Sequence, residues 1–224
     1  MKFLRSLERN NKREWFQPRK EIFDAQVKAP MVALVEEVNR ALSQFAPEYI
    51  TDPAQAIYRI YRDTRFSSDK TPYKTHIAAS FRKRGLDKHA AGGLYFGVSP
   101  KEIEVAGGVY MPGPEQMLTI RQYLSEHYGE FRKITANKKL RELVGELKGA
   151  ELTRVPKGFP ADHEAADLLR KKQWFFYVLL DPSSATTPTL LKEIVDRFRA
   201  LTPVVEFMNV PLKPKKVRPE DVLF

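Results

Sequence analysis

The sequence predicts an α+β fold in one domain: a mainly antiparallel sheet with helices packed on it, a helical N-terminal segment and a C-terminal helix. Three observations carry this prediction. Apolar residues recur at helical spacing in the first fifty residues and again from 114 onward. Between those regions, short β-rich runs alternate with turn residues. The tight hairpins between these runs make neighbouring strands antiparallel. Residues 1–212 form this domain, and the Pro-rich, charged KPKKVRPEDVLF (213–224) has the composition of a disordered basic tail.

Each element has its own signal. Asn11 and Glu14 have capping-box spacing, with Lys12 as the first helical residue. Pro18 removes an N–H and clashes one turn back, so the helix kinks there or restarts with Pro18 at its first position. Met31, Leu34, Val35, Val38, Leu42 and Phe45 form a stripe facing a core, and Pro47 helps end it. From residue 55 the pattern becomes β-like: AIYRIYR, a turn-like SSDKTP, then HIAASFRKR (76–84). GGLYFGV (92–98) and EIEVAGGVYM (102–111) form a hairpin around Ser99, Pro100 and Lys101. Leu94, Phe96 and Val98 share one face, with Ile103 and Val105 on the partner strand. Gly107–Gly108 marks a bulge or a close approach to the backbone.

Helices return at Pro114, with Met117, Ile120, Leu124 and Phe131 as the stripe. Asn137 caps a second helix, which Gly149 closes. ELTRVP (151–156) reads as a short strand, 161–171 as a short helix and QWFFYVLLD (173–181) as a buried strand. A last helix opens at Thr187–Pro188, and Pro203 kinks or ends it.

Composition removes several classes of function. Hydrophobic residues make up 42% of 224, enough to bury a sizeable core. The longest apolar run, WFFYVLL (174–180), is too short to span a bilayer. The opening MKFLRSLERNNKREWF lacks the apolar stretch and cleavage site of a signal peptide. Having no cysteine excludes disulfides, thiolate metal sites and cysteine nucleophiles. A soluble, cytoplasmic protein with no membrane partner is expected. Its formal charge of +10 is uneven: residues 51–90 carry 9 basic and 4 acidic side chains, half of the excess. Such a cluster attracts phosphates, nucleic acid or acidic surfaces, or else forms a solvated face.

The cluster centres on RIYRDTRFSSDKTPYKTH (59–76). Arginine's planar fork fits carboxylate or phosphate oxygens. On an extended backbone Arg59, Tyr61, Asp63 and Arg65 share one face, and Tyr58, Ile60 and Arg62 the other. A bend near Arg62–Asp63 is therefore expected. Asp63 and Asp69 can pair with the arginines, or Asp69 can bond backbone amides ahead of Pro72. Two carboxylates neutralise only two of five cations, which leaves the rest to solvent or a ligand. Arg59, Arg62, Arg65, Lys70, Tyr73 and Lys74 form the candidate anion-binding set. Tyr58, Tyr61, Phe66 and Tyr73 offer rings for stacking.

Arg59, Arg62, Asp63, Arg65, Phe66, Asp69, Lys70 and Tyr73 together fill a pattern: Arg-x-x-Arg-Asp-x-Arg-Phe, three residues, Asp-Lys, two residues and Tyr. With NNKREWF, YKTH, the Gly-rich hairpin and KGFPADH, the chain resembles the bacterial and fungal proteins grouped as domain of unknown function 2461. The resemblance covers about residues 1–210. It implies kinship and brings no activity with it.

Other chemistry is sparse. His76, His89, His127 and His163 form no metal-binding spacing, so no metal is expected. His163, beside Asp162, is the leading acid–base candidate, with Asp63 as its catalytic alternate and His76 as the next histidine. Asp162 also reads as a cap for a helix over 163–170. Gly-x-Ser-x-Gly, P-loop and dinucleotide fingerprints are absent, and no cofactor is implied.

Three functional readings follow. The leading one is a phosphate-recognising domain for nucleic acid or a phosphorylated small molecule, using 59–74 with Arg82, Lys83 and Arg84. The second is an enzyme with Arg62 and Arg65 as an anion clamp and His163 or Asp63 moving a proton; it requires 59–74 and 157–163 to share a pocket. The third is an interaction module in which the motif is architectural.

Overall fold

Alternating side chains split the sheet into a buried face and a half-open one. The structure is a computed structural model that describes residues 1–86 and 91–212. His89 and the expected 213–224 tail lie outside the described residues. Strands β1 (Ile77–Arg82), β2 (Gly93–Val98), β3 (Ile103–Val109) and β4 (Trp174–Leu180) pair antiparallel in chain order. Phe81, Leu94, Gly107 and Phe176 form one cross-strand row, and Ala79, Phe96, Val105 and Val178 the next. This is the core face. Ser80, Tyr95, Ala106 and Tyr177 form a row of opposite parity, beside Ala78, Gly97, Glu104 and Leu179.

The C-terminal helix, Leu190–Asn209, lies across the core face. The helices are α1 (Lys2–Arg9), α2 (Arg13–Phe16), α3 (Lys20–Phe23), α4 (Ala29–Leu42), α5 (Pro53–Ala56), α6 (Pro114–Thr135), α7 (Lys138–Val144), α8 (Ala166–Arg170) and α9 (Leu190–Asn209). Ile194, Phe198, Leu201 and Val205 of α9 are buried over the strands. Gly107 sets the distance, because a Cβ there would stand 3.1 Å from Leu201. The register runs unbroken through Gly107 and Gly108. Of the two readings of this pair, close approach is the one observed.

The N-terminal helices follow the expected apolar stripe, with Met31, Val35, Val38 and Leu42 buried. Pro18 sits in a 3-10 turn, Gln17–Arg19, and the α-helix restarts at Lys20. A π turn, Asp24–Lys28, widens the helix just before Pro30. Asn137 caps α7 by accepting from the Leu140 amide at 3.1 Å.

Several local expectations are corrected. Asn11 closes no capping box; α2 begins at Arg13 with no side-chain cap, and the Asn11 side chain is used elsewhere. AIYRIYR forms no regular strand: a short helix capped by Asp52, with Pro53 at its first position, takes Ala56, and the rest makes isolated bridges from Ile57 and Tyr61. ELTRVP supplies only a bridge between Glu151 and Lys171. Helix α7 ends at Gly145, where φ is +74°, before Gly149 is reached. Pro203 does not end α9, which continues to Asn209.

The end of α9 is tied to the sheet by a buried amide. Asn209 donates to the Gly92 carbonyl at 3.0 Å and to the Tyr49 hydroxyl at 2.9 Å, and accepts from the Gly92 amide at 2.8 Å. Asn209→Leu keeps the volume and strands all three groups. Unfolding in urea is expected to show a loss of about 2–4 kcal/mol at unchanged slope. A loss below about 1 kcal/mol would show that these groups find other partners.

Candidate functional site

The hallmark segment is a closed loop at the β1 edge of the sheet. Ile57 bridges Ala79, and the Tyr58 amide donates to the Ala78 carbonyl at 2.9 Å. The chain then pairs with itself. Tyr61 bridges Tyr73, the Arg62 amide donates to Pro72 at 2.9 Å, and the Lys74 amide donates to Ile60 at 2.8 Å. Residues 63–71 project beyond this base. Asn11 secures it from the N-terminal segment: its side chain donates to the Tyr73 carbonyl at 2.8 Å and accepts from the Tyr73 amide at 3.0 Å. The Tyr73 ring stacks on Phe16 at 4.1 Å and is buried in the core. As a member of the expected anion set, Tyr73 presents backbone and ring to the fold instead.

Three of the five cations are engaged within the loop. The Arg62 guanidinium donates to Asp69 and to the Thr71 hydroxyl. Arg65 forks onto Asp63 with bonds of 3.0 and 2.8 Å. Lys70 donates to the Thr64 carbonyl at 2.9 Å. The Arg65 fork holds the Asp63 pKa down to about 2, and the Thr71 amide together with Arg62 does the same for Asp69. Both aspartates therefore stay ionised at neutral pH. Arg59 is exposed and has no carboxylate partner among the described residues, and its charge is felt at both Asp63 and Lys74. Lys74 lies over the Tyr58 ring at 5.1 Å, also without a carboxylate partner among the described residues.

The loop displays one apolar group. Phe66 is 95% exposed, with the Arg65 guanidinium 5.7 Å from its centroid. Tyr58 continues toward the half-open sheet face, 6.4 Å from Tyr95. A basic and aromatic track thus runs from Lys74 over Tyr58 to Tyr95, with Arg59 near enough for its charge to act on Lys74.

His163 lies elsewhere. Its Nδ1 accepts from the Ala165 amide at 3.0 Å and its ring meets Tyr128 of α6, in the segment that leads to β4. Asp63 belongs to the opposite, β1 edge. The two catalytic candidates therefore sit toward opposite edges of the sheet. Asp162 is not a helix cap, since α8 starts after Ala165. Lys83 is also taken, by Glu48 at 2.9 Å and Glu206 at 2.6 Å. Among the described residues, no group of three His, Asp or Glu is placed to hold a metal ion.

Sequence reasoning missed three groups. Glu104 and Tyr95 share the half-open sheet face, where burial raises both pKa values. Alternation in EIEVAGGV signals that Glu104 opposes Ile103 and Val105. Arg121 of α6 is buried beside Trp174, donating to the Lys171 carbonyl at 2.9 Å. Nothing in the helical stripe marks it as different from a surface arginine.

Two outcomes test this geometry. In Arg62→Ala, amide hydrogen exchange across 63–71 should accelerate while exchange in β2 and β3 stays as in the parent. Uniform acceleration would make Arg62 part of the core instead. His76 has its pKa lowered by burial and then by Lys74. The unfolded chain therefore holds that proton at higher pH than the folded one, so stability is complete above the ordinary value and is lost as pH falls through the folded one. Between about pH 7.5 and about pH 5.5 the parent should lose more stability than His76→Gln; equal losses would acquit His76.

Residues 1–207 match the family described as Conserved hypothetical protein (DUF2461). No curated protein matches the chain, and no solved structure does. No helix among the described residues is long and apolar enough to cross a membrane. Since the match spans all the helices and strands of the sheet and the whole 59–76 segment, apart from the last residues of α9, the chain belongs to the conserved hypothetical protein family DUF2461.

Proposed function

We propose that the protein recognises the nucleotide unit, a phosphate joined to a planar base, in single-stranded nucleic acid or in a free phosphorylated nucleoside. The observation that carries this reading is Phe66, exposed to 95% at the tip of a loop held by its own ion pairs. Burying such a ring against a base gains about 1–3 kcal/mol, and any base can supply the face. Arg59 and Lys74, neither paired with a carboxylate or a loop carbonyl among the described residues, supply phosphate contacts along the track. Arg65 adds a guanidinium beside the stacked base, and Lys70 braces the loop backbone. Arg62 serves as the staple rather than the clamp. With its donors on Asp69 and Thr71, it has less to offer a ligand than Arg59 has.

Fluorescence anisotropy with a short labelled single-stranded oligonucleotide tests the reading, with AMP and ATP as competitors. Phe66→Ala should weaken binding roughly tenfold to a hundredfold. Arg59→Ala and Lys74→Ala should each lower the slope of log affinity against log salt by about 0.7. Displacement by millimolar AMP would assign the site to the free nucleotide, and its failure would assign the site to the strand. No saturable binding of either, or equal binding by Phe66→Ala, would end the proposal.

A further inference from the structure

A second basic site lies away from the hallmark loop, where the end of α6, the start of α7 and the middle of α9 meet. Here Lys133, Ile134, Lys139, Arg199, Ala200 and Pro203 line a groove of about 350 Å³, within the size range of small-molecule sites. Three of its seven lining residues are cations, and none is a carboxylate. The contrast with adjacent residues is direct. Arg132 is paired with Asp167 at 2.8 Å, Lys138 with Glu142 at 3.7 Å, and Arg197 with Glu193 one turn along α9. Lys133, Lys139 and Arg199 have no such partner among the described residues. All three side chains line the same groove.

The floor of that space is apolar. Ile134 and Ala200 pack against the core, and Pro203 contributes a ring. Proline has no N–H to return to the Arg199 carbonyl, so a hydrocarbon surface replaces one helical hydrogen bond in this wall. The Arg199 guanidinium sits 4.3 Å from the Phe45 centroid. That contact holds the group in place without neutralising it, leaving its N–H donors for an anion. Asn137 also lines the groove, but its side-chain oxygen is already committed to the Leu140 amide.

We infer that this groove binds a small amphiphilic anion: a phosphate or sulfonate held by Lys133, Lys139 and Arg199, joined to an aromatic body lying on Ile134, Ala200 and Pro203. Charge alone would suit inorganic phosphate, and the floor alone would suit a neutral ring. Their adjacency selects a molecule with both parts.

Isothermal titration with 1-naphthyl phosphate tests the inference, with inorganic phosphate as the comparison. One saturable site is expected, with phosphate alone at least about tenfold weaker. Arg199→Gln should weaken naphthyl phosphate by about tenfold or more, and Ala200→Met should obstruct the floor. Lys138→Ala, which removes a neighbouring but paired cation, should leave affinity unchanged. Circular dichroism establishes that each variant is folded; Arg199→Gln, at an exposed position, carries the test should Ala200→Met unfold. Three results would overturn the inference: no saturable binding, equal losses in Lys138→Ala and Arg199→Gln, or phosphate binding as tightly as its naphthyl ester. Phe66→Ala should not affect this site, which separates its fate from that of the hallmark loop.

Discussion

The seat of α9 on the sheet, Leu201 over Gly107, is the contact to which the rest of the fold is referred. A side chain at 107 would lift the helix from β3, where its Cβ would stand 3.1 Å from Leu201. Helices α4, α6 and α7 pack on α9. Its C-terminal half explains why Pro203 is tolerated. A proline inside a helix costs about 3 kcal/mol, but ending α9 there would expose Val204, Val205, Phe207 and Met208, all buried. Each such side chain contributes about 1.5–3 kcal/mol when buried. Tertiary burial wins, and Asn209 locks the result to β2.

The hallmark loop is organised on a different principle. It has little core of its own, so its shape comes from backbone pairing at the base and ion pairs above it. One planar guanidinium, Arg62, reaches an aspartate and a threonine seven and nine residues onward. Both bonds leave its Nη1, while Nη2 reaches the Ser67 hydroxyl at 3.5 Å. The consequence is that an apolar ring stands in solvent on a braced support. Exposure of a ring this complete in a flexible tail would mean little; on a stapled loop it is the observation on which the proposed recognition rests.

The sheet and most helices were legible because their signals are local and periodic. Leu94, Phe96 and Val98 facing Ile103 and Val105 follows from strand alternation, and the Asn137 cap follows from side-chain chemistry. Failures arose where a long-range partner decided the outcome. Asn11 had the right spacing for a capping box, yet Tyr73, sixty-two residues away, took both ends of its amide. AIYRIYR has β-rich composition, but the Asp52–Pro53 start signal takes its first residue and the self-pairing of 60–62 with 72–74 leaves only a short contact with β1 at Ile57 and Tyr58. In the site, composition identified the basic segment but could not apportion its cations. Which side chains are neutralised depends on where the loop folds back, and that is set by backbone pairing invisible to a charge count.

The same distinction governs the whole surface. A net charge of +10 suggests a single basic face, whereas pairing divides it. Arg62, Arg65 and Lys83 carry full charges and are spent on carboxylates within the fold. Arg59 and Lys74 on the β1 edge, and Lys133, Lys139 and Arg199 around α9, have no carboxylate partner among the described residues. Two of these groups lie over rings: Lys74 over Tyr58 and Arg199 over Phe45. A cation over a ring keeps its charge and its outward hydrogen-bond donors, while losing part of its freedom to move. That combination costs little in the free protein and lowers the entropy lost when an anion arrives. Sites of this kind are found by asking which cations the fold has oriented without neutralising them.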